Sequence, residues 1–149
     1  MRLTIPIFSY SHRFYFSPQA SRRWWFYLFP LLGYAALIFF LSSQSRWFFE
    51  PPDFFSSDKV YHFLEYGILG ILLARVMEEF GFFSLDQKKI SWVLIISFLY
   101  GLGDEFHQWF VPGRFATFGD VLSDSLGGWS GGWLFFKLKR KDFRFKKRP

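Results

Sequence analysis

Four apolar blocks divide the chain, at residues 24–41, 60–76, 91–103 and 121–136, with short polar stretches between them. The first block carries no charged residue. As a helix it would be about 27 Å long at roughly 1.5 Å per residue, close to a bilayer hydrocarbon core of about 30 Å. In the other three blocks the polar residues gather at one end: His62 and Glu65 in the second, Asp104 and Glu105 in the third, Asp124 in the fourth. A helix of a soluble bundle keeps a polar face along its whole length. The pattern therefore predicts an all-α chain, an integral membrane four-helix bundle. Pro30, inside the first block, is tolerated in a lipid-embedded helix as a local kink.

Composition strengthens this picture, because 51% hydrophobic residues with 24 Phe and 7 Trp exceed the apolar content of an average globular domain. The mean hydropathy is only +0.13, since charged tails dilute it and the interface-loving Trp and Tyr score low. With Cys 0, disulfides and thiolate metal sites are excluded. Charge then sets direction. Of the 18 Lys and Arg, all but Arg46, Lys59 and Arg114 lie before the first block, around the loop joining the second and third, or after the fourth. Over four spans this alternation satisfies the positive-inside rule and predicts both termini in the cytoplasm, N-in and C-in. The expected organisation is a basic cytoplasmic extension at 1–23, a four-span transmembrane domain at 24–136 and a basic cytoplasmic tail at 137–149. Arg22-Arg23 before the first block and Ser43-Gln44-Ser45 after it also fit a signal peptide. The run is longer than a usual signal core and rich in bulky aromatics, so an uncleaved anchor is expected. The tail, where Lys and Arg interleave with Phe, reads as contact with anionic membrane lipid and not with nucleic acid.

Three segments bring ionisable residues to the outer end of such a bundle. On the second helix Lys59, His62 and Tyr66 share a face at i, i+3, i+7, with Glu65 beside them. On the third, Asp104, His107 and Gln108 form a stripe next to Glu105. Pro112-Gly113 predicts a turn carrying Arg114. A fourth helix starting near Phe118 places Asp120 and Asp124 on one side at i, i+4. Deeper along it, Gly127, Gly128, Gly131 and Gly132 form two overlapping small-xxx-small patterns that let a neighbouring helix come close. Charge inside a span is costly, so the default expectation is a functional site facing the bundle interior. Salt bridges such as Lys59 with Asp58, or Arg114 with Asp120, are the purely structural alternative. His62, His107 and carboxylates such as Asp104 have the chemistry to bind a divalent metal, but their spacing matches no established metal signature, and no metal or other cofactor is expected.

The stretches Ser42-Ser43-Gln44, DKVYHFLEYGILG (58–70) and GLGDEFHQWFVPGRFATFGDVLSDSLGG (101–128) together resemble the VanZ-like family. The resemblance implies a multi-pass protein of the bacterial cytoplasmic membrane, in a family named for a protein associated with resistance to the glycopeptide teicoplanin. By the same resemblance Asp58, Lys59, His62, Tyr66, Asp104, Glu105, Gln108, Arg114, Asp120 and Asp124 occupy recurrent polar positions, and position 124 is often Asn in family members. The expected function is binding. An outer pocket built from Asp58, Lys59, His62, Glu65, Tyr66, Gln108, Arg114 and Asp124 would engage or modulate a lipid head group, a lipid-linked cell-wall precursor or a glycopeptide-type drug. The alternative is an enzyme acting on a phospholipid or polyprenyl phosphate. There Asp104, Glu105, His107 or Asp120 would transfer protons while Lys59 and Arg114 clamp phosphate. No phosphoryl-transfer motif or nucleophile elbow is present. A proton or ion pathway would need polar residues along the full depth, and the inner half lacks them.

Overall fold

A computed structural model describes residues 18–45 and 57–145. The expectations for the start of the N-terminal extension, for Arg46, Glu50 and Asp53, and for the last tail residues lie outside the described residues. Four helices follow one another: α1 (Pro18–Ser42), α2 (Ser57–Glu79), α3 (Asp86–Gln108) and α4 (Phe118–Phe145). Each outruns its apolar block. α1 begins with a proline, whose fixed φ and missing N–H suit the first helical position. At the other extreme α4 continues through Lys137, Lys139 and Arg140, which are good helix formers; Lys137 lies over the Trp133 ring, and the other two find acids to pair with. Glu78 receives Lys89 at 2.5 Å and Lys139 as well, and Arg140 meets Asp86 at 2.8 Å. These contacts tie the ends of α2, α3 and α4 together at what is here called the basic end.

Two glycines provide backbone that other residues resist. Gly81, at φ 63°, lies just past α2, where the Phe82 N–H reaches back to the Met77 carbonyl at 3.3 Å, a left-handed helix cap. Gly113, at φ 84°, follows Pro112 in a tight turn closed by Arg114 N–H to Val111 O at 3.2 Å. The Pro-Gly reading of that turn holds, and the turn delivers Arg114 to the polar end of the bundle.

The broadest packing is between α2 and α4, and glycines on both helices make it possible. A Cβ at Gly127 would run into the Phe63 backbone, one at Gly131 into the Gly67 carbonyl, and one at Gly70 into the Gly128 backbone. The α4 glycines thus meet a second pair, Gly67 and Gly70, on α2. On the α3 side, Gly128 abuts the Ser97 side chain and Gly132 abuts Val93. α1 packs on the opposite side of α2 and α3 and does not meet α4 among the described residues. Midway along it, two tyrosine hydroxyls tether it: Tyr34 donates to the Glu65 carbonyl at 3.1 Å, and Tyr100 donates to the Ala35 carbonyl at 2.6 Å.

Polarity across the bundle is reversed from that of a soluble protein. Ile38, Tyr66, Leu69, Val93 and Phe136 form an apolar core, but His62, Ser97, Asp104, Glu105, Asp120 and Asp124 are buried too. Meanwhile Phe29 and Phe40 on α1, Leu64 on α2, Leu99 on α3 and Leu126 on α4 point outward, each more than half exposed. Two helical segments, Trp24–Ser42 and Asp58–Glu79, are long and apolar enough to cross a membrane.

Candidate functional site

The C-terminus of α1, the N-terminal half of α2, the C-terminus of α3 and the N-terminal half of α4 meet at the polar end. The Ser42-Ser43-Gln44 motif sits where α1 stops. There Ser42 Oγ donates to Asp104 Oδ1 at 2.6 Å, and Ser43 Oγ lies 3.0 Å from His107 Nε2. Arg114 closes the same corner by donating to the Gln44 carbonyl at 3.0 Å and the Leu41 carbonyl at 2.9 Å. The Leu41 carbonyl also accepts the Gln44 N–H at 3.2 Å, and a cation beside the last carbonyls of α1 is favourable on dipole grounds. Burial draws the guanidinium down from its ordinary range while Asp58, Asp104, Glu65 and Glu105 oppose the shift. Arginine stays charged through such changes.

The polar residues separate into two groups. The first lines a cavity of about 290 Å³ between α1, α2 and α3, with Ser42, His62, Glu65, Asp104, Gln108 and Arg114 as its polar wall and Leu41, Leu64 and Ile68 at its apolar side. Gln108 Nε2 donates to Asp104 Oδ2 at 3.0 Å, so Asp104 is held from both sides. The second group lies between α2, α3 and α4. There Lys59 Nζ meets Asp120 Oδ1 at 3.0 Å, and His62 Nδ1 meets Asp124 Oδ1 at 3.0 Å. His62 belongs to both groups.

Asp120 is fully occupied by structure. Its second oxygen accepts from Thr117 Oγ1 at 2.5 Å, while Thr117 Oγ1 accepts from the Asp120 N–H at 3.3 Å, an N-cap arrangement that starts α4. Glu105 turns to the same helix start, accepting the Thr117 N–H on Oε2 at 2.8 Å. Among the described residues, two buried carboxylate oxygens have no hydrogen-bond partner: Glu105 Oε1 and Asp124 Oδ2. Asp124 is wholly buried and Glu105 nearly so. His62, Glu105 and Asp124 each place a ligand atom within 4.8 Å of the others, and Asp58, His62 and Asp120 form a second such trio.

Of the residues singled out from the sequence, His62, Glu65, Asp104, Gln108 and Arg114 line the cavity, whereas Asp58, Lys59, Tyr66, Glu105, His107, Asp120 and Asp124 do not. Tyr66 is completely buried, with its ring 6.1 Å from that of Tyr100. His107 faces α1, where it stacks 4.4 Å from Phe39. The structure also separates the two cations of the expected phosphate clamp: Lys59 pairs with Asp120 on the α4 side, and Arg114 lies on the α1 side. Of the two simple pairs expected, Lys59 with Asp58 is replaced among the described residues by Lys59 with Asp120. Sequence reasoning missed Tyr34, Tyr61 and Ser42 as cavity residues. The serine-glutamine motif at the end of the first block was the available signal.

A family model described as VanZ/LLP1 matches residues 4–140. No curated protein and no solved structure matches the chain.

Proposed function

The chain belongs to the VanZ/LLP1 family, and from that premise we propose that it is a four-span protein of the bacterial cytoplasmic membrane whose cavity binds the head group of a lipid. The reversed polarity of all four helices supports membrane embedding. α3 and α4 score lower in hydropathy because of their end charges and glycines, yet their outward residues, such as Leu99, Leu126 and Trp129, are exposed and apolar. With both termini inside, the polar end faces outward and the basic end lies at the cytoplasmic leaflet. There Lys137, Arg140 and Lys141 line a groove with Trp133, suited to anionic lipid heads.

The carrying observation is the α1–α2–α3 cavity, with a polar wall and an apolar flank opening beside exposed Leu41 and Leu64. An amphipathic ligand matches that polarity, its tail remaining in lipid. The volume of about 290 Å³ is at the small end of the roughly 300–1,000 Å³ usual for ligand sites. That size suits a head group and not an enclosed glycopeptide. Glu65 and Asp104 offer acceptors for hydroxyl or amine protons, and Arg114, anchored to the end of α1 through Nε and Nη2, sets a positive charge in the cavity wall for phosphate. A phosphorylated head group bearing hydroxyls or an amine, as in phospholipids and lipid-linked wall precursors, satisfies both ends.

The test is binding of such lipids to the purified protein in nanodiscs, read by native mass spectrometry. Wild type should retain phospholipid or polyprenyl-phosphate-linked sugars. Glu65→Gln should weaken retention at unchanged melting temperature, and Arg114→Lys should weaken retention and also lower the melting temperature, because it loses the hydrogen bonds to the end of α1. Equal retention by wild type and both variants would remove the reading.

One observation favours the enzymatic alternative. Ser43 Oγ lies 3.0 Å from His107 Nε2, a nucleophile-and-base spacing. The same hydroxyl sits 2.6 Å from the Phe39 carbonyl, and a single hydroxyl proton cannot serve both acceptors. Turnover of a bound lipid that disappears in Ser43→Ala and in His107→Gln would establish catalysis. Binding without turnover supports the modulator.

A further inference from the structure

The buried polar group between α2, α3 and α4 has an oxygen inventory that protein partners do not complete. Asp124 has one oxygen on His62 and one without a partner, and Glu105 has one oxygen on the Thr117 N–H and one without a partner. Each carboxylate is more than nine-tenths buried. An unsatisfied buried carboxylate oxygen is expensive, and native proteins seldom leave two in one cluster of residues. The donors also come from three different helices, so their convergence is a product of the fold and not of local sequence. Gly101 adds to this. A Cβ there would come within 2.6 Å of Asp124 Oδ2, so glycine keeps clear the space that the free oxygen occupies.

We propose that His62, Glu105 and Asp124 bind one divalent first-row transition-metal ion, of the Zn²⁺ or Mn²⁺ type. The proposal is independent of the lipid reading of the neighbouring cavity. One imidazole with two carboxylates is a donor set for such ions, whereas Mg²⁺ and Ca²⁺ favour oxygen ligands alone. Two carboxylates and a dication sum to zero, which is the charge state a low-dielectric site favours. Metal–ligand bonds of about 2.0–2.2 Å require the ligand atoms to draw in from their present separation of up to 4.8 Å. The His62–Asp124 contact at 3.0 Å is already short enough. In this arrangement His62 uses Nδ1, the nitrogen facing Asp124, and the ion takes the place of the proton shared there. The other nitrogen, Nε2, lies 3.9 Å from Asp58 Oδ1, longer than a hydrogen bond, and a closing of that gap would give the carboxylate–histidine pairing that orients metal ligands. The Thr117 N–H does the corresponding service for Glu105. Because the ion displaces a proton, binding weakens as pH falls.

The experiment uses tag-free full-length protein in detergent, stripped with a chelator and titrated separately with Zn²⁺, Mn²⁺, Mg²⁺ and Ca²⁺. The expected result is one Zn²⁺ or Mn²⁺ per chain, a raised melting temperature, and affinity that tightens with rising pH. His62→Gln and Glu105→Gln should each weaken binding by roughly 10–100-fold or more. Pulsed EPR of the Mn²⁺-loaded protein should show nitrogen coupling that is absent in His62→Gln. Wild-type protein that binds none of the four saturably at millimolar concentration, or binds Mn²⁺ without nitrogen coupling, would overturn the proposal whether or not the variants fold. Lipid retention by the stripped protein is a separate readout, so failure here is distinguishable from failure of the cavity assignment.

Discussion

Ser42 on the last turn of α1 donates a 2.6 Å hydrogen bond to Asp104 on α3, the contact that joins the serine-glutamine motif to the acidic stripe of the third helix. Both residues are buried. Among the described residues, removing the hydroxyl leaves Asp104 with the Gln108 amide as its side-chain partner. Ser42→Ala should therefore destabilise the protein by about 1–3 kcal/mol, the range for a buried hydrogen bond to a charged group. Thermal melting in detergent measures it, and Ser42→Thr, which keeps the hydroxyl, should recover part of the loss.

The glycine contact between α2 and α4 predicts an asymmetric response to added side chains. Gly127→Leu places a side chain against the Phe63 backbone and should cost about 1–3 kcal/mol or more, because backbone does not yield as a side-chain tip does. Gly33, by contrast, has nothing within 4 Å of a Cβ. Gly33→Ala should be neutral or stabilise α1 by about 0.5–1 kcal/mol through helix propensity. Similar melting temperatures for the two variants would argue against close packing of α4.

Asp120 and Asp124 share a helix face but predict different losses. Asp120→Asn breaks the pair with Lys59, whose side chain is 43% exposed. Its cost should be about 1–3 kcal/mol, below that of a fully buried pair because water screens the lysine. A double-mutant cycle with Lys59→Gln should return a clear coupling energy. Asp124→Asn instead changes the unpartnered oxygen beside Gly101, so it should alter cation uptake more than stability.

Reporter fusions check orientation. Fusions after Pro149 and in the 78–89 segment should be cytoplasmic, and one in the 50–55 segment should be extracytoplasmic. One reversed reporter would invert the assignment of the cavity to the outer face.

The helices were legible because apolar blocks separated by short polar stretches leave few other solutions, and Pro112-Gly113 and Phe118 marked the turn and the start of α4. Partner choice was less legible. Spacing along one helix indicates which residues share a face, but not which neighbouring helix that face meets. His62 and Lys59 both turned to α4, while Asp104 turned to α1. Gly67 and Gly70 went unremarked for the same reason: a glycine's role depends on the backbone opposite. The helix ends were displaced outward because ion pairs between helices, Lys139 with Glu78 and Arg140 with Asp86, extend α4 beyond its apolar pattern.

α1 forms one wall of the cavity, yet among the described residues it does not meet α4. Three helices locked by glycine contacts make a fixed post, and the fourth rests on it through Ile38 in the core and hydrogen bonds at Tyr34, Tyr100, Ser42 and Arg114, with no close glycine contact of its own. The aperture is therefore set by the tilt of one stave, not by the shape of a rigid mould. Bulkier head groups should lose affinity gradually as they prise that stave outward, and a cross-link between α1 and α2 should turn the slope into a sharp size limit.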